Sequence, residues 1–326
     1  GMSARDARLS IERHATSKIR KASDIFEIRT MGFRGEALAS ITAIAQVEIK
    51  TRRQADDFGV RLQVENSEVQ LEEACQMNPG TSISVKNLFY NVPARRNFLK
   101  SDTVEYNHIL SEFQRITMAY PDIFFSLYKD NQEIYHLPAA NHKQRISALM
   151  GSQTPKKLVD VGEDTDVVTI SGFVGKPEYS KKTRGDQYFF VNNRFIRSPY
   201  LHHAVVSAFE DLLPPDAHPL YAIFLEIEPQ RIDVNVHPTK QEIKFEDEKL
   251  IYNYLKVAVR HALGKYSIIP RMDFDQEISF NEDRLNQPAD FSSSSENKPA
   301  SFSSESSSKG ISFSDVVRNR HNLENW

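Results

Sequence analysis

Four short stretches of the chain, at 47–52, 60–64, 69–73 and 81–85, alternate apolar and polar residues, with Asn66-Ser67 and Pro79-Gly80 as turn punctuation. A period of two sends successive side chains to opposite faces, so these segments predict an antiparallel sheet with one face to bury. Helical spacing at 4–13 and 36–45 supplies helices to lie on that sheet. A long amphipathic helix is predicted over 103–120, where Ile109, Phe113, Ile116 and Tyr120 recur three and four residues apart. A second set of elements follows, with strands near 124–128, 133–137, 167–174, 187–191 and 220–227 and helices near 143–150, 200–212 and 249–263. The expectation is an α+β protein of two domains, 1–120 and 121–270, joined around the 103–120 helix.

Charge and cysteine content narrow the function classes. The 41 Lys and Arg residues against 44 Asp and Glu give a net charge of -3, which excludes a uniformly basic nucleic-acid binder and leaves room for a local patch. Cys75 is the sole cysteine, so no intramolecular disulfide or cysteine-rich zinc cluster can form, as expected in a reducing compartment. Apolar runs such as 123–127, interrupted by Ser126, fall far short of the ~20 residues that span a bilayer. A cytoplasmic protein without a membrane partner is expected. From Phe280 onward the text becomes Ser-rich and polar, and 271–326 is expected to be a disordered linker or tail leading to something beyond it. Gly1 ahead of Met2 is expected to be a remnant of tag removal.

Three segments carry chemistry. In Gly32-Phe33-Arg34-Gly35-Glu36-Ala37-Leu38 two glycines stand three apart and a helix starts at the second. Free N–H groups and a positive dipole end converge there, which suits a phosphate, although a paired-glycine turn can equally just lead a loop into a helix. No Gly-Lys-Ser or Gly-Lys-Thr occurs, so this is not a Walker loop. Upstream, His14-Ala15-Thr16-Ser17-Lys18 adds two hydroxyls and a cation, and from Arg5 to Arg34 eight basic residues face four acidic ones. In the third segment Val234 and Val236 alternate as in a strand, Pro238 stops the ladder, and Lys240 is left at a loop tip. Such a lysine can reach a phosphate held by another domain, or be an ordinary exposed lysine. His202 and His203 open a helix, where adjacent residues diverge, so no shared metal is expected.

These segments, together with Asn87-Leu88-Phe89-Tyr90-Asn91-Val92-Pro93-Ala94-Arg95-Arg96-Asn97-Phe98-Leu99, resemble in order and spacing the signature stretches of the MutL DNA mismatch repair proteins, over roughly 2–263. The resemblance implies part of a GHKL (Bergerat-type) ATPase domain followed by a ribosomal protein S5-like transducer domain. It further implies that ATP is wrapped by a lid made of His14, Ala15, Thr16, Ser17 and Lys18 with Gly32, Phe33, Arg34, Gly35, Glu36, Ala37 and Leu38. Gly80 and Thr81 would match the pair that closes the adenine side, and Lys240 the transducer lysine that senses the γ-phosphate. The stretch 87–99 is an identity marker, with Arg95 and Arg96 either structural or facing DNA.

The family's Glu-Asn-x-x-Asp-Ala helix, which carries the catalytic glutamate and the magnesium-binding asparagine, and its Asp-x-Gly-x-Gly adenine motif do not occur in this sequence. Both belong upstream of Arg5, so the chain is expected to start inside the ATPase domain. It is expected to have no catalytic residue and no metal ligand, to bind neither ATP nor Mg²⁺, and to hydrolyse no ATP, while the intact family protein does all of these. Residues 2–31 are expected to be poorly ordered, or packed differently from an intact lid. The resemblance also implies sequence-independent DNA binding, for which Lys181, Lys182, Arg184, Arg194 and Arg197 are the candidates. Implied partners are a MutS-type mismatch recognition protein and a second copy of the chain in the intact protein, in a bacterial, nucleoid-associated setting. Some members carry a C-terminal endonuclease, which would lie beyond the Ser-rich stretch. The leading reading is an ATP-switched dimerising clamp. The alternatives are a non-enzymatic DNA-binding or scaffold module that kept the transducer and, ranked below both, a type II topoisomerase ATPase subunit.

Overall fold

The computed structural model describes residues 1–21, 24, 30, 32–209, 212–234 and 242–268. Contacts divide the chain into Gly1–Pro270 and Arg271–Trp326. The second unit, including the whole Ser-rich stretch expected to be a tail, lies outside the described residues, as does Lys240.

The first sheet is a four-stranded antiparallel array of β1 (Gln46–Arg52), β2 (Gly59–Glu65), β3 (Glu68–Cys75) and β4 (Gly80–Lys86), in the order β3-β2-β1-β4. Asn66 and Ser67 join β2 to β3 with φ of 52° and 64°, the paired positive values of a two-residue hairpin turn. Register puts Val47 opposite Val64 and Ile49 opposite Leu62, so their side chains share one buried face. Two short helices, α1 (Ala4–Leu9) and α2 (Ala37–Thr42), lie over β1 and β2 and bring Ala7, Leu38 and Ile41 onto that face. The Ser3 hydroxyl caps α1 by accepting from the Asp6 amide at 3.1 Å. Helix α1 is shorter than the 4–13 periodicity predicts: the Ser10 hydroxyl donates to the Ala7 carbonyl at 2.7 Å, and His14 sits at φ 66°. On the edge strand β4, Ile83 and Val85 stand opposite Ile49 and Val47 on the same face but are each 47% exposed.

After α3 (Pro93–Arg96), α4 (Asp102–Ala119) runs to the hairpin β5 (Phe125–Lys129) and β6 (Gln132–Leu137), turned by Asp130 and Asn131 at φ 48° and 63°. Helix α5 (His142–Met150) opens with a reciprocal capping box between Asn141 and Gln144, and α6 (Thr154–Lys157) leads into the second sheet. That sheet comprises β7 (Leu158–Asp164), β8 (Thr169–Gly175), β9 (Gln187–Val191), β10 (Arg194–Ile196) and β11 (Tyr221–Glu226), in the order β10-β9-β11-β8-β7. Strands β9 and β11 are parallel, and α7 (Pro199–Phe209) makes the crossover such a pair requires. Beyond β11, β12 (Ile232–Asp233) pairs with β13 (Lys244–Phe245), and α8 (Glu248–Ile268) closes the described chain.

The second sheet is buried on both faces, which explains the unbroken apolar text of β9 and β11. Phe189, Val191, Tyr221, Ile223 and Leu225 join the α7 and α8 side, whereas Tyr188, Phe190, Ala222 and Phe224 join Met118, Leu137, Ile146 and Leu149 from α4, β6 and α5. Strand β7 is absent from the sequence expectation. Its acidic end, Glu163-Asp164, reads as loop, and pairing with β8 overrides that local preference. No helix among the described residues is long and apolar enough to cross a membrane.

Candidate nucleotide and nucleic-acid sites

Two of the segments singled out by sequence meet in space. The His14 amide donates to the Gly35 carbonyl at 3.1 Å, and His14 Nδ1 lies 3.3 Å from Glu36 Oε1. Gly35 is at φ 64°, and a Cβ built there would stand 2.3 Å from the Ala15 carbonyl oxygen, so only glycine fits this close approach. Around this contact Phe33 is buried, with the Arg34 guanidinium 5.8 Å from its ring centroid. The Thr16 hydroxyl accepts from the Lys18 amide at 3.1 Å, and the Ser40 amide and hydroxyl both return to the Glu36 carbonyl. Ala37 and Leu38 open α2.

Gly80 and Thr81 lie at the start of β4, in a second cluster. The buried Thr51 hydroxyl is its hub, 2.8 Å from the Thr81 hydroxyl, 3.2 Å from the Gly80 carbonyl, and accepting from the Met2 amide at 2.8 Å. A cleft of ≈ 690 Å³ adjoins it, lined by residues that include Met2, Arg5, Thr51, Arg53, Phe58 and Glu72. Neither 14–18 nor 32–38 contributes to that lining.

At Gly35 the space beside the backbone is filled by Ala15 rather than left open, Thr81 is engaged with Thr51, and Glu36 is held by His14. The α2 amides and the open flank of Gly32, where a Cβ would meet nothing within 4 Å, are the parts compatible with a phosphate. Among the described residues no group of His, Cys, Asp and Glu could hold a metal ion. His202 and His203 diverge as their spacing predicts: Nδ1 of His202 meets the Tyr221 hydroxyl at 3.0 Å and that of His203 the Tyr252 hydroxyl at 2.8 Å. Burial, then the nearby Arg184, His218 and His203 charges, lowers the His202 pKa.

The five DNA candidates separate into two groups. Lys181, Lys182, Arg184 and Arg197 are exposed, with Lys181 paired to Asp186 and Arg184 Nε 3.4 Å from His218 Nε2. Arg194 is different. It starts β10 behind the Asn192-Asn193 turn, is half-buried, and donates to the Thr30 carbonyl at 2.9 Å, tying the β9–β10 hairpin to the segment that leads into Gly32. Burial lowers its pKa, as it would not for a solvated phosphate contact. The hairpin is itself fixed, because the Asn192 side chain exchanges two hydrogen bonds with the Ile227 backbone at 2.8 and 3.0 Å. Arg95 and Arg96 lie exposed on α3.

Sequence reasoning also missed Arg145, which is 1% exposed and donates to four backbone carbonyls, of Thr117, Pro121, Ile123 and Pro138. An arginine on a helical face reads as solvated, and no local pattern announces its burial.

Residues 146–264, which include all of β7–β13 and most of α8, match the family model of the DNA mismatch repair protein C-terminal domain. The chain is 55% identical over 292 residues to the DNA mismatch repair protein MutL of Christiangramia forsetii, covering 89% of this chain and 47% of that protein. It is 52% identical over 277 residues to the MutL of Flavobacterium johnsoniae, covering 85% and 43%. The chain belongs to the MutL family. It spans about half the length of the curated MutL relatives it matches.

Solved structures agree on the fold. The N-terminal domain of a DNA repair protein superposes with a TM-score of 0.67 at 21% identity, covering 82% of this chain and 84% of that one. The Aquifex aeolicus MutL ATPase domain complexed with ADP gives 0.50 at 22% identity, covering 64% and 76%. This MutL-family chain is thus a mixed α+β protein whose fold is like that of the MutL ATPase-domain structures, and it carries a mismatch-repair C-terminal domain of the S5-like class.

Proposed function

We propose that this chain is the part of a bacterial mismatch repair protein that couples a nucleotide-operated clamp to DNA. The observation that carries this is 55% identity over 89% of the chain to a curated MutL. Identity at that level favours a working repair protein over a scaffold that has discarded catalysis. Residues 1–120 act as the portion of an ATPase domain that bears the lid, and 121–270 as the transducer. In the whole protein 14–18, 32–38, Gly80, Thr81 and Lys240 contribute to the ATP and Mg²⁺ site, a second copy completes the clamp, and a MutS-type protein recruits it to mismatched DNA. ATP bound there would supply the charge that draws the lid amides together. Within the lid, the His14–Gly35 hydrogen bond holds its two halves at one spacing, and the glycine at 35 permits it.

Among the described residues none is poised to activate water, and the chain by itself is expected not to turn over ATP. Titrating a non-hydrolysable ATP analogue with Mg²⁺ into it is expected to give no saturable heat and no change in melting temperature. Saturable binding would show that the residues of this chain assemble a nucleotide site by themselves. The repair reading is tested by a chimera in which this chain replaces the matching stretch of Christiangramia forsetii MutL, expressed in a strain lacking MutL. The spontaneous mutation frequency is expected to return near that of the repair-proficient strain. A folded, expressed chimera that leaves the mutator frequency unchanged would refute the proposal.

A further inference from the structure

The β5–β6 hairpin turns one face to the protein and the other to solvent, and the two differ in chemistry. On the inner face Phe113 of α4 stacks on Tyr135 at 5.7 Å and meets Phe125 edge-on at 6.3 Å, with Leu137 buried beside them. Alternation sends Phe124, Ser126 and Tyr128 to the outer face. A bulge decides what joins them from β6. Pairing steps from Leu127 with Tyr135 to Tyr128 with Glu133, so Ile134 is passed over and a carboxylate, not an apolar side chain, stands opposite Tyr128. His136 stands opposite Ser126.

These outer side chains are joined to one another. The Tyr128 hydroxyl donates to Glu133 Oε1 at 3.1 Å, and His136 Nδ1 lies 2.8 Å from the same oxygen. The His136 ring meets that of Phe124 at 5.1 Å and 73°, so the two rings make a corner beside the carboxylate. Phe124 is 54% exposed and Tyr128 59%, whereas the rings of the inner face are covered. The hydrogen bond with His136 first, and that from Tyr128 with it, hold the Glu133 carboxyl below the ordinary glutamate pKa, so it is ionised at neutral pH. Both bonds fall on Oε1, and Oε2 accepts none among the described residues. About half of the carboxylate's roughly four acceptor sites are thereby open.

The face also lacks a cation of its own. Within 121–137 the acids are Asp122, Asp130 and Glu133, against Lys129 as the one Lys or Arg. Lys129 is turned away to α4, its ammonium 4.3 Å from the Tyr106 ring centroid. An ionised carboxylate with open lone pairs, set between exposed rings, repels phosphate and attracts an organic cation.

We infer that the outer face of this hairpin is a docking site for an arginine side chain of a protein partner, its guanidinium lying against the Phe124 ring and donating to Glu133 Oε2. A guanidinium is flat and weakly hydrated, so it can cover an aromatic face while aiming N–H groups at a carboxylate. A lysine ammonium must give up a tighter water shell for the same contacts. The site rests on neither the nucleotide nor the DNA reading of this chain.

The test is fluorine NMR of the full chain labelled with fluorotyrosine, the Tyr128 signal being identified by its loss in Y128F. The probes are acetyl-Ser-Gly-Arg-Gly-Ser-amide and its lysine and citrulline counterparts. The arginine peptide is expected to shift the Tyr128 signal saturably, the lysine peptide to bind about threefold more weakly or worse, and the uncharged citrulline peptide not to saturate. E133Q should weaken the arginine peptide about tenfold and F124A about threefold, each with an unchanged melting temperature, while E163Q on β7 leaves binding as it was. The comparison of the three peptides on the wild-type chain needs no variant and stands even if a substitution disturbs the hairpin. Absence of a saturable shift, an arginine peptide bound no better than the lysine or citrulline one, or binding that survives E133Q would overturn the inference. Saturation of the same signal by spermidine but not by the arginine peptide would overturn it too.

Discussion

Replacing Arg145 by methionine tests whether a buried guanidinium holds the α4–α5 corner together. Thr117 occupies the last turn of α4, and its carbonyl would ordinarily accept from the residue four positions on. That residue is Pro121, which has no N–H, so the carbonyl is orphaned by sequence and Arg145 Nη1 fills it at 3.1 Å. Nη2 reaches the carbonyls of Pro121 at 2.8 Å, Ile123 at 2.8 Å and Pro138 at 2.9 Å. The bonds to Thr117 and Pro121 are buried, and those to Ile123 and Pro138 partly so. In R145M the two buried carbonyls lose their partner outright, at about 2 kcal/mol each, whereas the other two can regain water at little cost. Methionine also relieves the desolvation of the cation, which lowers the arginine pKa here, and that relief offsets about 1 kcal/mol. The expected loss is therefore about 3 kcal/mol. R145K, with a compact ammonium that cannot span four acceptors, should fall between methionine and wild type. Urea unfolding followed by circular dichroism at 222 nm measures both. A loss below about 1 kcal/mol in R145M, with an unchanged denaturant slope, would refute the assignment of these carbonyls to Arg145.

Three further outcomes are expected. Gly35→Ala places a methyl group against the Ala15 backbone at a φ that costs an L-residue about 1–2 kcal/mol, so the His14 amide should exchange roughly tenfold faster, and equal rates would count against the lid contact. Glu48 is held at a pKa of about 2, below the ordinary glutamate value of 4.5, first by hydrogen bonds from Arg61 and then from Lys50. Because that folded value is depressed, its stabilisation is present above pH 4.5 and is lost as pH falls from there toward 2. E48Q should flatten this part of the acid limb in a thermal-melting series, and an unaltered acid limb would show that the carboxylate is not coupled to folding. Arg194→Ala should leave duplex affinity within about twofold while increasing exchange across 32–38, because the residue grips Thr30 rather than a phosphate, and R194K should restore part of the protection. A large loss of affinity without altered exchange would return Arg194 to the DNA contacts.

What could be read in the text depended on how local its cause was. The alternation at 47–52 and 60–64 was legible because a period of two and a two-residue turn at Asn66-Ser67 leave one register that buries Val47, Ile49, Leu62 and Val64 together. Strand β7 was not, since Leu158, Val159 and Val161 acquire their role from β8, which the chain reaches only later. The segments 14–18 and 32–38 stood out by residue type and spacing, but that Ala15 would fill the hollow beside Gly35 follows from a meeting of distant backbones. The contact of Arg194 with Thr30 was hidden for the same reason. A cation beside a strand turn looks solvated until Thr30, 164 residues away, arrives at its guanidinium.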